Sequence, residues 1–283
     1  MTTVATALAD ARRRGVASLD AQLLLARLLA TTRTRLIAHD ERPLTPAEAA
    51  RWEDSLARRL AGDPIAYLLG EKEFHGVTLE VDRNVLVPRP ETELLVDWAG
   101  EAVAALTSER ARSGDPGPIR VVDLGTGSGA IALALKRAHP HLTATATDVS
   151  AGALAVARRN AERLGLAIEL LEASWWDGLE GRRFDIAIAN PPYIAGDDPH
   201  LATLMHEPAL ALTPGGDGLG ALRAIVAGAS APLLPGGWLF LEHGFDQAAA
   251  VRALLAAAGF AAVETRRDLA GRERATGGRR PSF

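Results

Sequence analysis

The apolar residues of the first seventy positions recur at helical spacing, between clear helix-start signals. The strongest signal is the run 45–48, Thr-Pro-Ala-Glu. Its threonine and glutamate side chains can each accept from the other's backbone N–H, and its proline suits a first helical turn. A helix is therefore predicted from Thr45 to about Leu60, with others starting at Ser18 and spanning residues 65–69. This segment is predicted to be all helical.

The pattern changes after residue 72. Residues 73–87 alternate around a glycine and predict a β-hairpin. Residues 90–106 predict a helix with acidic residues in its first turn, where the helix dipole favours them. The run 107–118 holds glycine, proline and serine without apolar periodicity, and this composition predicts a linker.

From residue 119 onward, short apolar runs alternate with helical segments. The predicted strands cover residues 119–124, 143–147, 168–172, 184–189, 238–241 and 261–266. The predicted helices cover residues 130–138, 151–164, 219–229 and 247–258. Such alternation predicts an α/β fold with a doubly wound, mostly parallel sheet. The chain is thus expected to comprise a helical domain over residues 1–72, a hairpin linker over 73–90 and an α/β domain over 91–283.

Composition narrows the classes of function. The chain has no cysteine, which excludes disulfides, thiolate metal sites and cysteine nucleophiles. The histidines show no metal-ligand spacing, so no metal site is predicted. A net charge of -4 argues against a protein that binds nucleic acid mainly through phosphate contacts. No window resembles a signal peptide or a membrane span, and we expect a soluble, cytoplasmic protein.

A glycine-rich turn follows the first strand of the predicted sheet. Residues 121–130, Val-Val-Asp-Leu-Gly-Thr-Gly-Ser-Gly-Ala, end a buried strand and open a helix. Glycines let a ligand approach the backbone, and Asp148, at the end of the next strand, can accept from both hydroxyls of a ribose. The turn also fits the G-x-G-x-x-G/A dinucleotide fingerprint. Alone it would equally suit a plain strand-to-helix connection; with Asp148 it predicts a nucleoside site.

A second motif, Asn190-Pro191-Pro192-Tyr193, follows the predicted strand 184–189. It stands at a strand's carboxyl end beside the glycine turn, where open α/β sheets bind ligands. The Asn190 side-chain oxygen and the Pro191 carbonyl can accept both N–H groups of a planar amide, which orients its nitrogen and stabilises developing positive charge. The prolines fix the backbone, and Tyr193 supplies an aromatic wall. The motif resembles that of S-adenosylmethionine-dependent methyltransferases acting on planar amide or amino nitrogens.

Three further segments accompany this motif: residues 87–93, Val-Pro-Arg-Pro-Glu-Thr-Glu; residues 207–212, Glu-Pro-Ala-Leu-Ala-Leu; and residues 242–244, Glu-His-Gly. Together with the helical N-terminal segment, they resemble the PrmC/HemK family of glutamine methyltransferases over about residues 23–274. The resemblance implies a class I, Rossmann-like methyltransferase domain and an N-terminal domain for substrate recognition. It also implies methyl transfer from S-adenosyl-L-methionine, leaving S-adenosyl-L-homocysteine. The acceptor would be N5 of the glutamine in the Gly-Gly-Gln loop of class I peptide chain release factors.

The resemblance also implies roles for individual cofactor-site residues. The methionine part of the cofactor would lie against Gly125, Thr126, Gly127, Ser128 and Gly129. Asp148 would hold the ribose, and Trp175 matches the family's aromatic residue beside the adenine, with Trp176 as the alternative. Ser174 stands where the family often has an acid, so this position offers no carboxylate to the adenine amino group.

On the substrate side, the resemblance implies that Asn190 touches both cofactor and glutamine. Asn190, Pro191, Pro192 and Tyr193 would hold the glutamine, with Asn190, Pro191 and Tyr193 as the catalytic set. Arg89, Glu91 and Glu93 can face the same cleft, although the two acids also suit a helix start. We expect a monomer that contacts neither nucleic acid nor membrane directly.

Other functions share parts of these motifs. N5-glutamine methylation of a ribosomal protein would use the same chemistry. DNA adenine N6-methylation uses the same tetrapeptide but requires base flipping and usually a basic recognition domain. Residues 1–93 contain nearly equal numbers of basic and acidic side chains and predict no such domain. An NAD-dependent dehydrogenase would be indicated by the glycine turn alone.

Overall fold

The computed structural model of the protein describes residues 1–114 and 117–282 and divides into two compact units, Met1–Lys72 and Glu73–Phe283. The first unit is helical, as the sequence predicts. Its helices are α1 (Val4–Arg13), α2 (Ser18–Leu28), α3 (Arg33–Ala38), α4 (Pro46–Leu60) and α5 (Ile65–Leu69). No helix in the described ranges is long and apolar enough to cross a membrane.

The core of the first unit forms around α2 and α4. Leu25, Trp52 and Leu56 are fully buried there among alanine, valine and leucine side chains of the other helices. The predicted start of α4 is confirmed, because Thr45 Oγ1 accepts from the Glu48 backbone N–H at 3.2 Å and a Glu48 carboxylate oxygen accepts from Thr45 N–H at 2.9 Å. The helices α1 and α3 were not predicted.

A hairpin and a long helix precede the large sheet. The hairpin strands are β1 (Glu71–Phe74) and β2 (Val77–Glu80), a shorter hairpin than the 73–87 pattern predicted. A 3₁₀ turn over Pro90–Thr92 leads into α6 (Glu93–Ser113). Apolar side chains of both strands and of α6 share one hydrophobic cluster, so the hairpin packs within the second unit.

The second unit is built on a seven-stranded sheet in the order β5-β4-β3-β6-β7-β9-β8. Its strands are β3 (Arg120–Leu124), β4 (Thr143–Asp148), β5 (Glu169–Glu172), β6 (Phe184–Ala189), β7 (Leu233–Glu242), β8 (Ala261–Arg267) and β9 (Glu273–Arg279). The helices after α6 are α7 (Ala130–Ala138), α8 (Ala151–Leu164), α9 (Ala209–Leu212), α10 (Gly220–Gly228) and α11 (Ala248–Ala257). Strands β3 to β7 pair in parallel, and β9 runs antiparallel to both its neighbours. This confirms the predicted doubly wound, mostly parallel α/β fold.

Hydrophobic clusters cover both faces of this sheet. One contains side chains of α6 and α7, and the other contains side chains of α10 and α11. The central strand β6 is buried along its whole length. Parallel strands covered on both faces need such continuous apolar runs, which is why β3 and β6 were recognisable in the sequence.

The predicted linker 107–118 is wrong for its first half, because α6 continues to Ser113. Gly114 ends the helix in the left-handed conformation, at φ 76°. Arg110 anchors the last turn, since its guanidinium donates to the carbonyl of Pro118 at 2.7 Å and forms an ion pair with the buried Asp185. Residues 115 and 116 of the predicted linker lie outside the described residues.

Two strands differ from the predictions because of their glycines. Strand β7 begins at Leu233, five residues before the predicted start, and contains Gly236 at φ 79° within a register shift. Strand β9, with Gly277 and Gly278, was not predicted at all. A Cβ at Gly277 would lie 2.6 Å from the ring of Phe240, its pairing partner on β7, so the glycine leaves the space that this ring occupies.

Candidate active site

The carboxyl ends of the central strands open into a cavity of about 420 Å³ in the second unit. The predicted site residues in its wall are Gly125, Thr126, Gly127, Ser128, Asp148, Trp175, Asn190 and Pro192. Within the described part of the chain, Gly129, Pro191 and Tyr193 do not line it. A mostly apolar hollow of this size, with a few convergent polar groups, is typical of a small-molecule site.

Sheet register explains why distant parts of the sequence meet here. One row of paired residues crosses four parallel strands and consists of Thr147, Leu124, Ala189 and Leu241. The residues that follow them along their strands are Asp148, Gly125, Asn190 and Glu242. The polar groups of the site therefore emerge side by side from one edge of the sheet.

The glycine-rich turn adopts a conformation that only glycine takes easily. Gly125, Gly127 and Gly129 have φ values of 76°, 57° and 83°. The backbone N–H groups of Gly125 and Thr126 both donate to the Thr147 carbonyl at 2.9 Å, which fastens the turn to β4. A Cβ at Gly129 would lie 2.9 Å from Leu133, so this glycine serves the packing of α7 under the turn.

Asp123, which was not predicted as a site residue, stabilises the glycine-rich turn through hydrogen bonds. One of its carboxylate oxygens accepts from the Thr126 hydroxyl at 2.7 Å and from the Ala132 N–H at 3.3 Å. The other oxygen is buried and accepts no hydrogen bond from residues 1–114 or 117–282. Burial raises the pKa of this carboxyl to about 6, against the lowering effect of its two donors.

Asp148 faces the cavity from the end of β4. Its two carboxylate oxygens accept from the backbone N–H groups of Gly127 and Ser150, each at 2.9 Å. Burial raises the pKa of the carboxyl, and these backbone donors oppose the shift. The hydrogen bonds fix the side chain while each oxygen keeps acceptor capacity, so Asp148 can accept further donors such as hydroxyl groups.

The two neighbouring tryptophans point to different places. Trp175, at a φ of 50°, lies in the cavity wall, and its ring would be 3.2 Å from a Cβ on Gly125. Trp176 donates from Nε1 to the Ile225 carbonyl at 2.8 Å and packs with the core beside α10. Of the two tryptophans, Trp175, with Ser174 next to it, is therefore the one that a ligand in the cavity can touch.

The Asn190 to Tyr193 segment extends from β6 without regular structure. The Asn190 amino group donates to the Thr92 hydroxyl at 3.0 Å. Pro191 is buried, and the Tyr193 hydroxyl donates to Glu242 Oε1 at 3.1 Å. Burial, together with the nearby Glu242 carboxylate, raises the pKa of the Tyr193 phenol. Tyr193 is therefore held as a neutral hydrogen-bond donor away from the cavity.

Thr92 and Glu242 are functional-site residues that the sequence arguments missed. Thr92 is 4% exposed and lines the cavity, and Glu242 is 1% exposed and lies behind it. Burial raises the pKa of Glu242 to about 7, opposed by the Thr92 and Tyr193 hydroxyls. An available signal was the position of Glu242, an acid at the carboxyl end of an apolar strand.

Another buried acid, Glu207, joins two loops near the cavity. Glu207 pairs with the Arg89 guanidinium, and its other oxygen accepts from the Val87 N–H at 3.0 Å. Arg89, one of the three charged residues predicted to be able to face the cleft, lines the cavity. Glu93, another of the three, accepts from the backbone N–H of His75 at 3.0 Å. In the described ranges, no group of histidine and acidic side chains is arranged to hold a metal ion.

Known families match both parts of the chain. Residues 2–70 match the family described as PrmC N-terminal domain, and residues 114–223 match the family described as Methyltransferase small domain. Among solved structures, a methyltransferase from Pyrococcus furiosus is 18% identical with a TM-score of 0.53, covering 81% of this chain and 99% of that one. The N-terminal domain of human METTL16, in complex with SAH, is 17% identical with a TM-score of 0.53, covering 86% and 85%. These two structures share the fold.

Curated relatives are far more similar. A release factor glutamine methyltransferase of Burkholderia pseudomallei (strain K96243) is 49% identical, covering 98% of this chain and 97% of the relative. Another, of Bordetella pertussis (strain Tohama I), is 48% identical and covers 93% and 95%. Because this identity extends along nearly the whole of each chain, the protein belongs to the release factor glutamine methyltransferase family.

Proposed function

We propose that the protein transfers a methyl group from S-adenosyl-L-methionine to the side-chain amide nitrogen of the glutamine in the Gly-Gly-Gln loop of class I peptide chain release factors. The observation that carries the proposal is the convergence of Asn190, Asp148 and the glycine turn on one cavity. Membership of the family supports the same activity.

The cavity residues fit S-adenosylmethionine. Gly125 and Gly127 leave the turn without side chains at two positions, and a Cβ at Gly125 would be tightly pressed against the Trp175 ring. The cofactor's methionine part would lie along the turn, its ribose hydroxyls would donate to Asp148, and its adenine would contact Trp175. Ser174 can offer a hydroxyl to that base, but no carboxylate.

When bound, S-adenosylmethionine supplies an electrophilic methyl group on a positively charged sulfur and is left as S-adenosyl-L-homocysteine. A glutamine amide is a weak nucleophile because its nitrogen lone pair is delocalised into the carbonyl. Asn190 Oδ1 and the Pro191 carbonyl oxygen would accept from its two N–H groups, orienting the nitrogen and stabilising the positive charge that develops there. The nitrogen loses a proton once its bond to the methyl carbon has formed, so no general base is required before attack.

The polar surroundings of Asn190 support this role. Because its amino group already donates to Thr92, its carbonyl oxygen is the atom left for an incoming donor. No residue in 1–114 or 117–282 donates a hydrogen bond to that oxygen. Removing one such preorganised group typically costs about 10² to 10³ in turnover, and we expect this loss in Asn190→Ala.

We further propose that residues 1–72 recognise the protein substrate and that residues 91–283 carry out the methyl transfer. Residues 73–90 would link these two parts of the chain. A loop-borne glutamine must be held still, and the first unit contains no cofactor motif. We retain as predictions a monomeric state, a cytoplasmic location and the absence of direct nucleic-acid contact.

The test is methyl transfer to a purified class I release factor, with the modified residue located by mass spectrometry. We expect one methyl group on the glutamine of the Gly-Gly-Gln loop. A release factor with that glutamine replaced by alanine, and the Asn190→Ala enzyme, are the matched controls. Methylation of a ribosomal protein or of adenine in DNA, without methylation of the release factor, would overturn the proposal.

A further inference from the structure

A buried chain of polar groups lies behind the Asn190 carboxamide. Asn190 Nδ2 donates to Thr92 Oγ1 at 3.0 Å. Tyr193 donates to Glu242 Oε1 at 3.1 Å. Burial raises the pKa of the Glu242 carboxyl, and the Thr92 hydroxyl opposes that shift. Glu242 Oε2 is buried and has no hydrogen-bond partner among residues 1–114 and 117–282. These four residues come from three separate parts of the second unit.

The direction of the hydrogen bonds in this chain matters for the reaction. A hydroxyl can donate or accept, and a carboxamide presents a donor on one side and an acceptor on the other. An ionised carboxyl can only accept. A carboxylate at Glu242 therefore draws the Thr92 proton toward itself and leaves Thr92 Oγ1 to accept from Asn190. The Asn190 amino group is then directed away from the substrate, and Oδ1 toward it.

We propose that Thr92 and Glu242 are positioning residues that select the orientation of the Asn190 carboxamide in which Oδ1 accepts from the substrate amide. The inference rests on the proposed function of Asn190. In the reversed orientation, the Asn190 amino group would face the N–H groups of the glutamine, and two donors would oppose each other.

The burial of Glu242 supports a role beyond packing. A carboxyl that is 1% exposed costs stability when it ionises, and an apolar side chain of similar volume would avoid that cost. The partners present, two hydroxyls and the Arg274 charge, compensate only in part, since burial still raises the pKa of Glu242 to about 7. Position 242 therefore has a hydrogen-bond acceptor where stability alone would favour an apolar side chain.

The experiment compares Thr92→Val, which keeps the side-chain shape without the hydroxyl, with Thr92→Ser, which keeps the hydroxyl. For Thr92→Val we expect single-turnover methyl transfer to fall about 10- to 100-fold, the range seen when groups that orient a metal ligand are removed. Affinity for S-adenosylhomocysteine, measured by calorimetry, stays unchanged. Thr92→Ser retains transfer within about threefold of the parent, because its hydroxyl can make the same bonds.

The decisive measurement is a double-mutant cycle with Asn190→Ala. If Thr92 acts through Asn190, adding Thr92→Val to Asn190→Ala changes the rate by less than about twofold. Thr145→Val is the matched control, since Thr145 is another buried threonine, bonded to Glu169 outside the cavity, and its loss leaves transfer unchanged. Glu242→Gln, whose amide can donate as well as accept, slows transfer in the parent but not in Asn190→Ala.

Two results would overturn the inference: full activity of Thr92→Val in a folded enzyme, or rate losses that multiply in the double variant. Either outcome leaves the proposed function intact as long as Asn190→Ala itself is impaired. If Asn190→Ala turned over like the parent, the proposed function of Asn190 would fail instead. Urea denaturation of each variant separates a loss of rate from a loss of folded protein.

Discussion

Replacing Glu242 with glutamine is expected to change how the stability of the second unit depends on pH. The folded protein holds this carboxyl at a pKa of about 7, above the ordinary value of 4.5, because burial disfavours its charge. Between those two values the folded state keeps a proton that the unfolded chain has released. Stability from this group is therefore present at low pH and is lost as the pH rises through about 7.

The magnitude follows from the same shift. Each unit of pH between the two pKa values costs about 1.4 kcal/mol of unfolding free energy. From about pH 5 to about pH 8, Glu242 should remove about 3 kcal/mol from the parent. Glu242→Gln cannot ionise and should not show this loss. Asp123, whose pKa is also raised by burial, is common to both proteins and cancels in the difference.

The assay is urea denaturation of parent and Glu242→Gln at several pH values, followed by tryptophan fluorescence, since four of the five tryptophans lie in the second unit. The control is Glu169→Gln, because the Glu169 side chain is 46% exposed in its pair with Arg182 and should contribute little. A stability difference between parent and Glu242→Gln that does not change with pH would refute the reasoning. The same variant is expected to transfer methyl groups more slowly, so gained stability and lost activity should coincide above pH 7.

Three further outcomes are expected. Asp148→Ala weakens S-adenosylmethionine binding by about 1–3 kcal/mol through loss of charge-assisted hydrogen bonds, and unchanged affinity by calorimetry would remove Asp148 from the cofactor site. Trp175→Ala weakens S-adenosylhomocysteine binding by about 1–3 kcal/mol, as for other base–aromatic contacts, whereas Trp176→Phe lowers thermal stability without changing affinity. Removal of residues 1–69 abolishes transfer to the intact release factor but leaves cofactor binding measurable, once circular dichroism has shown a folded product; full activity of this truncated enzyme would contradict a recognition role.

The elements that the sequence predicted well are those whose structure is determined by neighbouring residues in the chain. β6 is apolar at nearly every position because helices cover both sides of it, and its end is marked by two prolines. The start of α4 follows from four consecutive residues that cap one another. The glycine turn is equally local, since the left-handed backbone of Gly125, Gly127 and Gly129 requires glycine wherever the rest of the chain lies.

What could not be predicted depends on contacts between distant elements. Glycine is disfavoured within strands, yet Gly277 and Gly278 stand in β9, where Phe240 and Phe260 occupy the space that their side chains would fill. α6 continues through a run with no apolar stripe because Arg110, in its last turns, forms an ion pair with Asp185 of strand β6. Neither partner can be inferred from the residues around it.

The missed site residues are of the same kind. Thr92 directly precedes a helix, so in the sequence it indicated only the start of that helix. Glu242 ends a strand about fifty positions after Asn190. Glu242 acquires its importance from the sheet order β3-β6-β7, which places the end of β7 beside the end of β6, and Thr92 acquires its importance from the hydrogen bond that it accepts from Asn190. Pairing of these strands, rather than composition, brings Glu242 behind the amide.

The register between β6 and β7 is in turn set by an irregularity. From Phe184 to Ile186 the partner residues on β7 advance from Leu233 to Trp238, so the bulge around Gly236 takes up the additional residues. Without it Ala189 would pair with an earlier residue of β7, and an odd shift would turn the Glu242 side chain to the opposite face of the sheet. Gly237 allows the close approach, since a Cβ there would lie 2.8 Å from the Asp185 carbonyl. A glycine pair far below the cavity thus decides which residue of β7 stands behind Asn190.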